Sequence, residues 1–126
     1  MREKSETGKI GENIACAYLL DKKWKILNRN VKKPWGEIDI LARDQEGVLV
    51  FVEVKALSSN TRFKPEQHFN SEKIRKTKRV SQMFAADNEK LIQKHGWRID
   101  LIAIEIINPL LTNYKKDCSI RHYENI

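Results

Sequence analysis

Three carboxylates and one amine stand at alternate positions on two neighbouring stretches of this chain. Glu37 and Asp39 lie in Gly36-Glu37-Ile38-Asp39-Ile40-Leu41-Ala42, and Glu53 and Lys55 lie in Val50-Phe51-Val52-Glu53-Val54-Lys55. An Asp and a Glu on one face of a strand pair suit a hard divalent cation. Mg²⁺ takes one or two carboxylates and fills its shell with water and substrate phosphate. The main-chain carbonyl of Val54 is a further oxygen donor in the same stretch. Mg²⁺ or Mn²⁺ held there would generate hydroxide near neutral pH and neutralise the charge that builds on a phosphodiester as it is cut. Lys55 follows Glu53 by two residues, on the same face, where it can lower the pKa of an attacking water or balance charge. Asp39, Glu53 and Lys55 are therefore candidate catalytic residues, and Asp39, Glu53 and Val54 candidate metal ligands.

Both stretches alternate apolar and polar residues, the period of a half-buried strand. Asp44-Gln45-Glu46-Gly47 separates them. A loop of Gln45 to Gly47 fits a type I turn closed by Gly in the left-handed region. That register pairs Asp44 with Val48, which sets Asp39 opposite Glu53 and Glu37 opposite Lys55. Ile38, Ile40, Val52 and Val54 then share the oily face. Like charges directly opposite weaken a sheet, so Asp39 and Glu53 call for a neutralising cation. The competing reading is an ordinary surface ion pair between Glu37 and Lys55, worth under about 1 kcal/mol.

The other elements must hold this hairpin. Thr7 can cap a first helix running to about Lys22, with Ile10, Ile14, Ala17 and Tyr18 as its apolar stripe. Glu12 lies off that stripe. It is either a solvent-facing carboxylate favoured by the helix dipole or one that points from a second, partly buried face. Gly8 and Gly11 beside it hint at close approach by another backbone or a ligand. Trp24 to Leu27 reads as a short strand and Asn28 to Pro34 as a basic loop. Ala56 to Arg62 reads as a polar loop. Asn70 or Ser71 can cap a long helix from about Glu72 to Lys94 that ends at Gly96. The isoleucine-rich run Leu101 to Ile107 fits a strand covered on both faces. Cys118 to Tyr123 offers a last strand. The order helix, strand, hairpin, helix, strand, strand predicts one α/β (α+β) domain over residues 1–126, with a mixed central sheet flanked by helices.

Charge points to the partner. Lys and Arg number 24 against 17 Asp and Glu, a net charge of +7, and the pI is about 9.5. Such a balance favours a polyanion, nucleic acid first. Lys73, Arg75, Lys76 and Arg79 on the second helix, with Lys9, Lys32, Lys33 and Arg62, are the expected phosphate contacts. The alternative for the helical run is a solvated face. There is no apolar run of membrane-spanning length and no signal-peptide core. Cys16 and Cys118 lie far apart, which suits free thiols and a reducing cytoplasm. Trp24, Trp35 and Trp97 read as packing residues, and His68, His95 and His122 have no evident partner.

The two hairpin stretches, with Gly11-Glu12, Lys73 and Trp97-Arg98-Ile99-Asp100-Leu101-Ile102-Ala103, resemble the YraN-like family of small bacterial proteins. That family belongs to the restriction-endonuclease-like superfamily, named for its Asp…(Asp/Glu)-x-Lys site and similar to Holliday junction resolvases. The resemblance implies a three-layer fold with Asp39 and Glu53 as metal ligands and Lys55 as the catalytic lysine. It also implies that Glu12, in the place of the first-helix glutamate of resolvase-like relatives, completes the metal site. The expected activity is metal-dependent cleavage of DNA, branched or otherwise structured, and the resemblance allows a homodimer. Where family members often carry threonine and arginine after the lysine, this chain has Ala56 and Leu57, and Lys64 follows Phe63 where glycine is common. The alternative function is a nucleic-acid-binding protein with a nuclease-like fold and no turnover. A third is an adaptor whose carboxylates only form ion pairs.

Overall fold

The hairpin turn forms as its residues dictate. Gly47 N–H donates to the Asp44 carbonyl at 3.1 Å, and Asp44 N–H donates to the Val48 carbonyl at 3.1 Å. The Asp44 carboxylate accepts from the N–H groups of Glu46 and Val48, both at 2.9 Å. Gly47 takes φ +86°, a value that costs a side-chain-bearing residue strain. The turn joins β2 (Gly36–Arg43) to β3 (Leu49–Ser58). The ladder runs from Arg43 opposite Leu49 to Ile40 opposite Val52, in the register the turn predicts.

The computed structural model describes residues 5–59, 64–92, 95–110 and 113–126. Five strands form one sheet in the order β1-β2-β3-β4-β5. Strand β1 (Lys25–Lys33) is antiparallel to β2. Strand β4 (Trp97–Ile106) runs parallel to β3 along its whole length, and β5 (Cys118–Tyr123) is antiparallel to β4. Ile99 to Ile104 are all buried, as the apolar run predicts for a strand covered on both sides. Helix α1 (Glu6–Asp21) covers one face and α2 (Ser71–Asp87) the other. This mixed sheet between helices is the three-layer α+β arrangement that the resemblance implies. No described helix is long and apolar enough to cross a membrane.

The core lies in two layers. On the α1 side, Ile14, Ala15 and Leu19 pack on Ile40, Val50, Val52, Ile102 and Ile104. On the α2 side, Phe84 and Ala85 pack on Leu41, Leu49, Phe51 and Ile99, with the rings of Phe51 and Phe84 edge to face at 5.5 Å. Gly11 lets α1 lie close on β3, because a Cβ there would sit 2.4 Å from the Ala56 Cβ. The close approach is thus to backbone and core, not to a ligand.

Four expectations are corrected. The α1 cap is Ser5, whose Oγ accepts from Gly8 N–H at 3.0 Å, instead of Thr7. The segment expected as a basic loop is the second half of β1. It is an edge strand whose polar residues face water, and a shift of register between Ile26 and Asn28 together with Asn30 at φ +50° accommodates them. Strand β3 continues to Ser58 because β4 pairs with it throughout, so Ala56 to Ser58 are strand and not loop, and residues 60–62 of the expected loop lie outside the described residues. Helix α2 ends at Asp87, where Asn88 turns its amide back onto the Phe84 carbonyl at 2.9 Å. Two short helices, α3 (Glu89–Ile92) and α4 (Tyr114–Asp117), and a helical turn at Pro65–His68 complete the described elements.

Candidate metal and nucleic-acid site

Asp39 sits where β2 and β3 part. Beyond Ile40 and Val52 the two backbones cease to pair, and β2 continues only with β1. The expected Asp39–Glu53 and Glu37–Lys55 ladder pairs therefore do not form: Glu37 has Lys32 as its partner, and Ile38 joins the α2-side core, away from Ile40, Val52 and Val54. The carboxylate of Asp39 takes over where the ladder stops. Its Oδ2 accepts the Val54 N–H at 2.9 Å, in place of a main-chain carbonyl. That bond fixes the side chain and holds the two strand ends together while they splay.

The splay opens a cleft of about 380 Å³ between the start of β2 and helix α2. Glu37, Asp39 and Glu53 line its sheet wall. Lys73, Lys76 and Arg79 line the helix wall, and Trp35 and Val80 close its side. Three carboxylates thus face three cations across one opening. The structure brings together Asp39, Glu53, Lys73, Lys76 and Arg79 from the sequence-predicted set and adds Glu37, to which the sequence reading gave no catalytic part. Lys32 and Lys33 are exposed on β1 beside Glu37 and Gly36, so they flank the same wall. Arg75 and Arg79 line a shallower groove on α2 with Lys78. Lys9 is exposed on α1. Arg62 lies outside the described residues.

Lys55 is half-buried on β3, two residues past Glu53, and does not line the cleft. The Val54 side chain packs with the α1-side core while its N–H serves Asp39. Glu12 is buried to 1% exposure, which rules out the solvent-facing alternative. Its Oε1 accepts from Asn30 Nδ2 at 2.7 Å and Arg29 Nε at 3.3 Å, and it does not line the cleft.

One buried cluster escaped the sequence reading. Asp100 is fully buried on β4. Its carboxylate accepts from Arg98 Nε at 3.0 Å, His122 Nε2 at 2.8 Å and Asn125 N–H at 2.9 Å. With Nε2–H engaged in this way, His122 Nδ1 accepts from the Tyr18 hydroxyl at 3.0 Å. Arg98 also pairs with Asp44 at 2.6 Å. Burial pushes the Asp100 carboxyl up, but the bonds from His122, Arg98 and Asn125 outweigh it and hold the group below its ordinary value. Asp100, His122 and Glu124 present ligand atoms within 4.8 Å of one another, the one such three-donor group among the described residues. Its donors are already engaged by Arg98 and by each other, so it acts as a clasp between α1, the hairpin turn, β4 and β5. The signal that could have found it is β5 alternation, which puts His122 opposite Ile102.

A profile described as "Uncharacterised protein family UPF0102" matches residues 11–104. The chain belongs to this family. It is the family that the hairpin motif resembles. A UPF0102 protein of Thermodesulfovibrio yellowstonii is 38% identical over 120 residues, covering 95% of this chain and 94% of the relative. One from Alkaliphilus oremlandii is 37% identical over 120 residues, 94% of each chain. One from Fervidobacterium nodosum is 34% identical over 118 residues, 93% of this chain and 78% of the relative. The UPF0102 match spans Glu12, the whole cleft and α2, and it stops before His122.

Proposed function

We propose that the cleft is the active site of a metal-dependent nuclease that hydrolyses phosphodiester bonds in DNA, branched or otherwise structured. The observation that carries this reading is that Asp39 and Glu53 line one opening facing Lys73 and Lys76. The donor set fits a hard cation. The carboxylates are oxygen ligands, and no thiolate or imidazole lines the cleft among the described residues, which suits Mg²⁺ or Mn²⁺ over Zn²⁺. Asp39 and Glu53, with the Val54 carbonyl, would hold the ion, and Glu12 braces β1, the strand beside the one that carries Asp39. When bound, the ion supplies a water acidic enough to ionise near neutral pH and positive charge on the phosphate.

The chain's own residues have distinct parts. The Val54 N–H keeps Asp39 oriented. Lys73, Lys76 and Arg79 hold the phosphodiester against the carboxylates, and Lys32 and Lys33 steer the strand toward the wall. Lys55 balances charge from the strand that carries Glu53. The working compartment is a reducing cytoplasm, in keeping with free Cys16 and Cys118, and pairing of two copies would let two strands be cut. Calorimetry with Mn²⁺ tests the site. Wild type binds, and Asp39→Asn and Glu53→Gln each weaken binding at least about tenfold, the loss expected for a deleted ligand. Unchanged binding in both variants would refute the assignment.

A second reading, a nucleic-acid binder without turnover, is favoured by the groove of Arg75 and Lys78, which shares Arg79 with the cleft but is lined by no carboxylate among the described residues. Tight, salt-dependent binding with no cleavage in any metal would select it.

A further inference from the structure

The three tryptophans differ in position. Trp24 is buried, with the Lys22 ammonium and the Arg98 guanidinium over its ring at 5.5 and 5.4 Å. Trp97 packs edge-on against Phe51 at 5.4 Å. Trp35 is half-buried, rests on the α2-side core and lines the cleft beside Asp39 and Glu53. A rigid aromatic anchored from behind, next to carboxylates and opposite cations, is the arrangement that holds unpaired nucleic acid. A basic groove follows the backbone and an aromatic side chain stacks a base.

The size of the opening favours the same substrate. At about 380 Å³ the cleft is near the low end of small-molecule sites, a volume that matches about one nucleotide. A base inside a duplex has both faces covered, and extruding it costs a few kcal/mol. An unpaired strand has a face to offer. Lys73, Lys76 and Arg79 spread positive charge along roughly 9 Å of helix axis, so they can follow a backbone beyond a single phosphate.

We propose that the cleft takes one nucleotide of an unpaired strand, its base stacked on Trp35 and its phosphate between Lys73 and Lys76 and the Asp39–Glu53 pair. The inference rests on the reading of this cleft as the nucleic-acid site and narrows its substrate to single-stranded or frayed segments, DNA or RNA.

The test is fluorescence anisotropy in chelator at fixed salt, comparing a short unpaired oligonucleotide, as DNA and as RNA, with a hairpin duplex of equal length. The unpaired strand binds about tenfold tighter than the duplex, and 2-aminopurine placed in it is quenched on binding wild type. Trp35→Ala lowers affinity for the unpaired strand about tenfold and leaves the duplex affinity alone, while Trp35→Phe retains most of the preference. Equal or tighter binding of the duplex, or unquenched 2-aminopurine on the bound wild type, overturns the proposal. So does a Trp35→Ala variant that weakens both ligands alike. The quenching arm needs no variant to fold. Because binding is read without metal, a strand preference without cleavage sinks the nuclease reading alone. Cleavage that ignores Trp35→Ala sinks this inference alone.

Discussion

Asp39 has two separable duties, and a pair of substitutions separates them. Its Oδ2 accepts the Val54 N–H, and under the proposed function its carboxylate charge would hold the metal ion in the cleft it lines. Asn keeps an acceptor oxygen but loses the charge. Ala loses both and leaves an N–H without its acceptor. Asp39→Ala is expected to lower stability by about 1–2 kcal/mol in urea unfolding, and Asp39→Asn to stay near wild type, while both lose Mn²⁺ binding. The Asp100 cluster behaves oppositely. Asp100→Ala removes the acceptor shared by Arg98, His122 and the Asn125 N–H, leaving Arg98 its pair with Asp44, and should cost about 1–3 kcal/mol, yet the folded variant should bind Mn²⁺ as wild type does. That Asp39 and Glu53 share one opening was legible because a local turn, Asp44 to Gly47, fixes the register up to Ile40 and Val52, although the two are not paired in the ladder. Asp100 and His122 were not, since they meet only through the register of two strands remote in sequence. Glu12 was legible in part: its neighbours allowed burial, but its bonds to Arg29 and Asn30 depend on a strand that looked like a loop.

Elements are set by contacts that a sequence states unevenly. The buried strand β4 announces itself through its isoleucines. The edge strand β1 does not, because Asn28, Arg29 and Asn30 are polar and largely exposed and so read as a loop, even though Arg29 and Asn30 reach the buried Glu12. Helix α1 depends on Gly11. Gly11→Val would place its Cβ within contact range of Ala56 that neither backbone can relieve, and a loss of about 1–3 kcal/mol in urea unfolding is expected. The short helical turn at Pro65–His68, which leads into α2, is tied to β5 by Arg121. Its guanidinium bonds Glu66, and Glu66 also accepts from the Tyr123 hydroxyl at 2.8 Å. These bonds, those from Arg121 foremost, hold the Glu66 carboxyl at about 2, against an ordinary 4.5. A carboxyl whose pKa falls on folding stabilises the fold above its unfolded value and loses that stabilisation as pH falls through its folded one. Glu66→Gln should therefore cost about 1 kcal/mol at neutral pH, the scale of a partly exposed pair, and the difference should shrink between pH 4.5 and 2. Urea midpoints of both proteins across that range would show it.

The whole molecule joins an acidic opening to a basic exterior. Under the proposed function, the net charge of +7 would draw in polyanions, and the cleft lined by Asp39 and Glu53 would receive one phosphate. Affinity for nucleic acid should fall steeply with salt, and a charge-removing substitution such as Lys76→Ala should flatten that slope by about one phosphate contact. The UPF0102 match covers the cleft and its supporting helices together. The measurement that bears most directly on the account is cleavage of linear, flapped and four-way-junction DNA in Mn²⁺ by wild type and by Asp39→Asn, with unfolding curves showing both folded. Wild type is expected to cut at least one substrate, chelator to stop it, and Asp39→Asn to be inactive. Cleavage by Asp39→Asn at the wild-type rate, or no cleavage of any substrate by wild type, would contradict it.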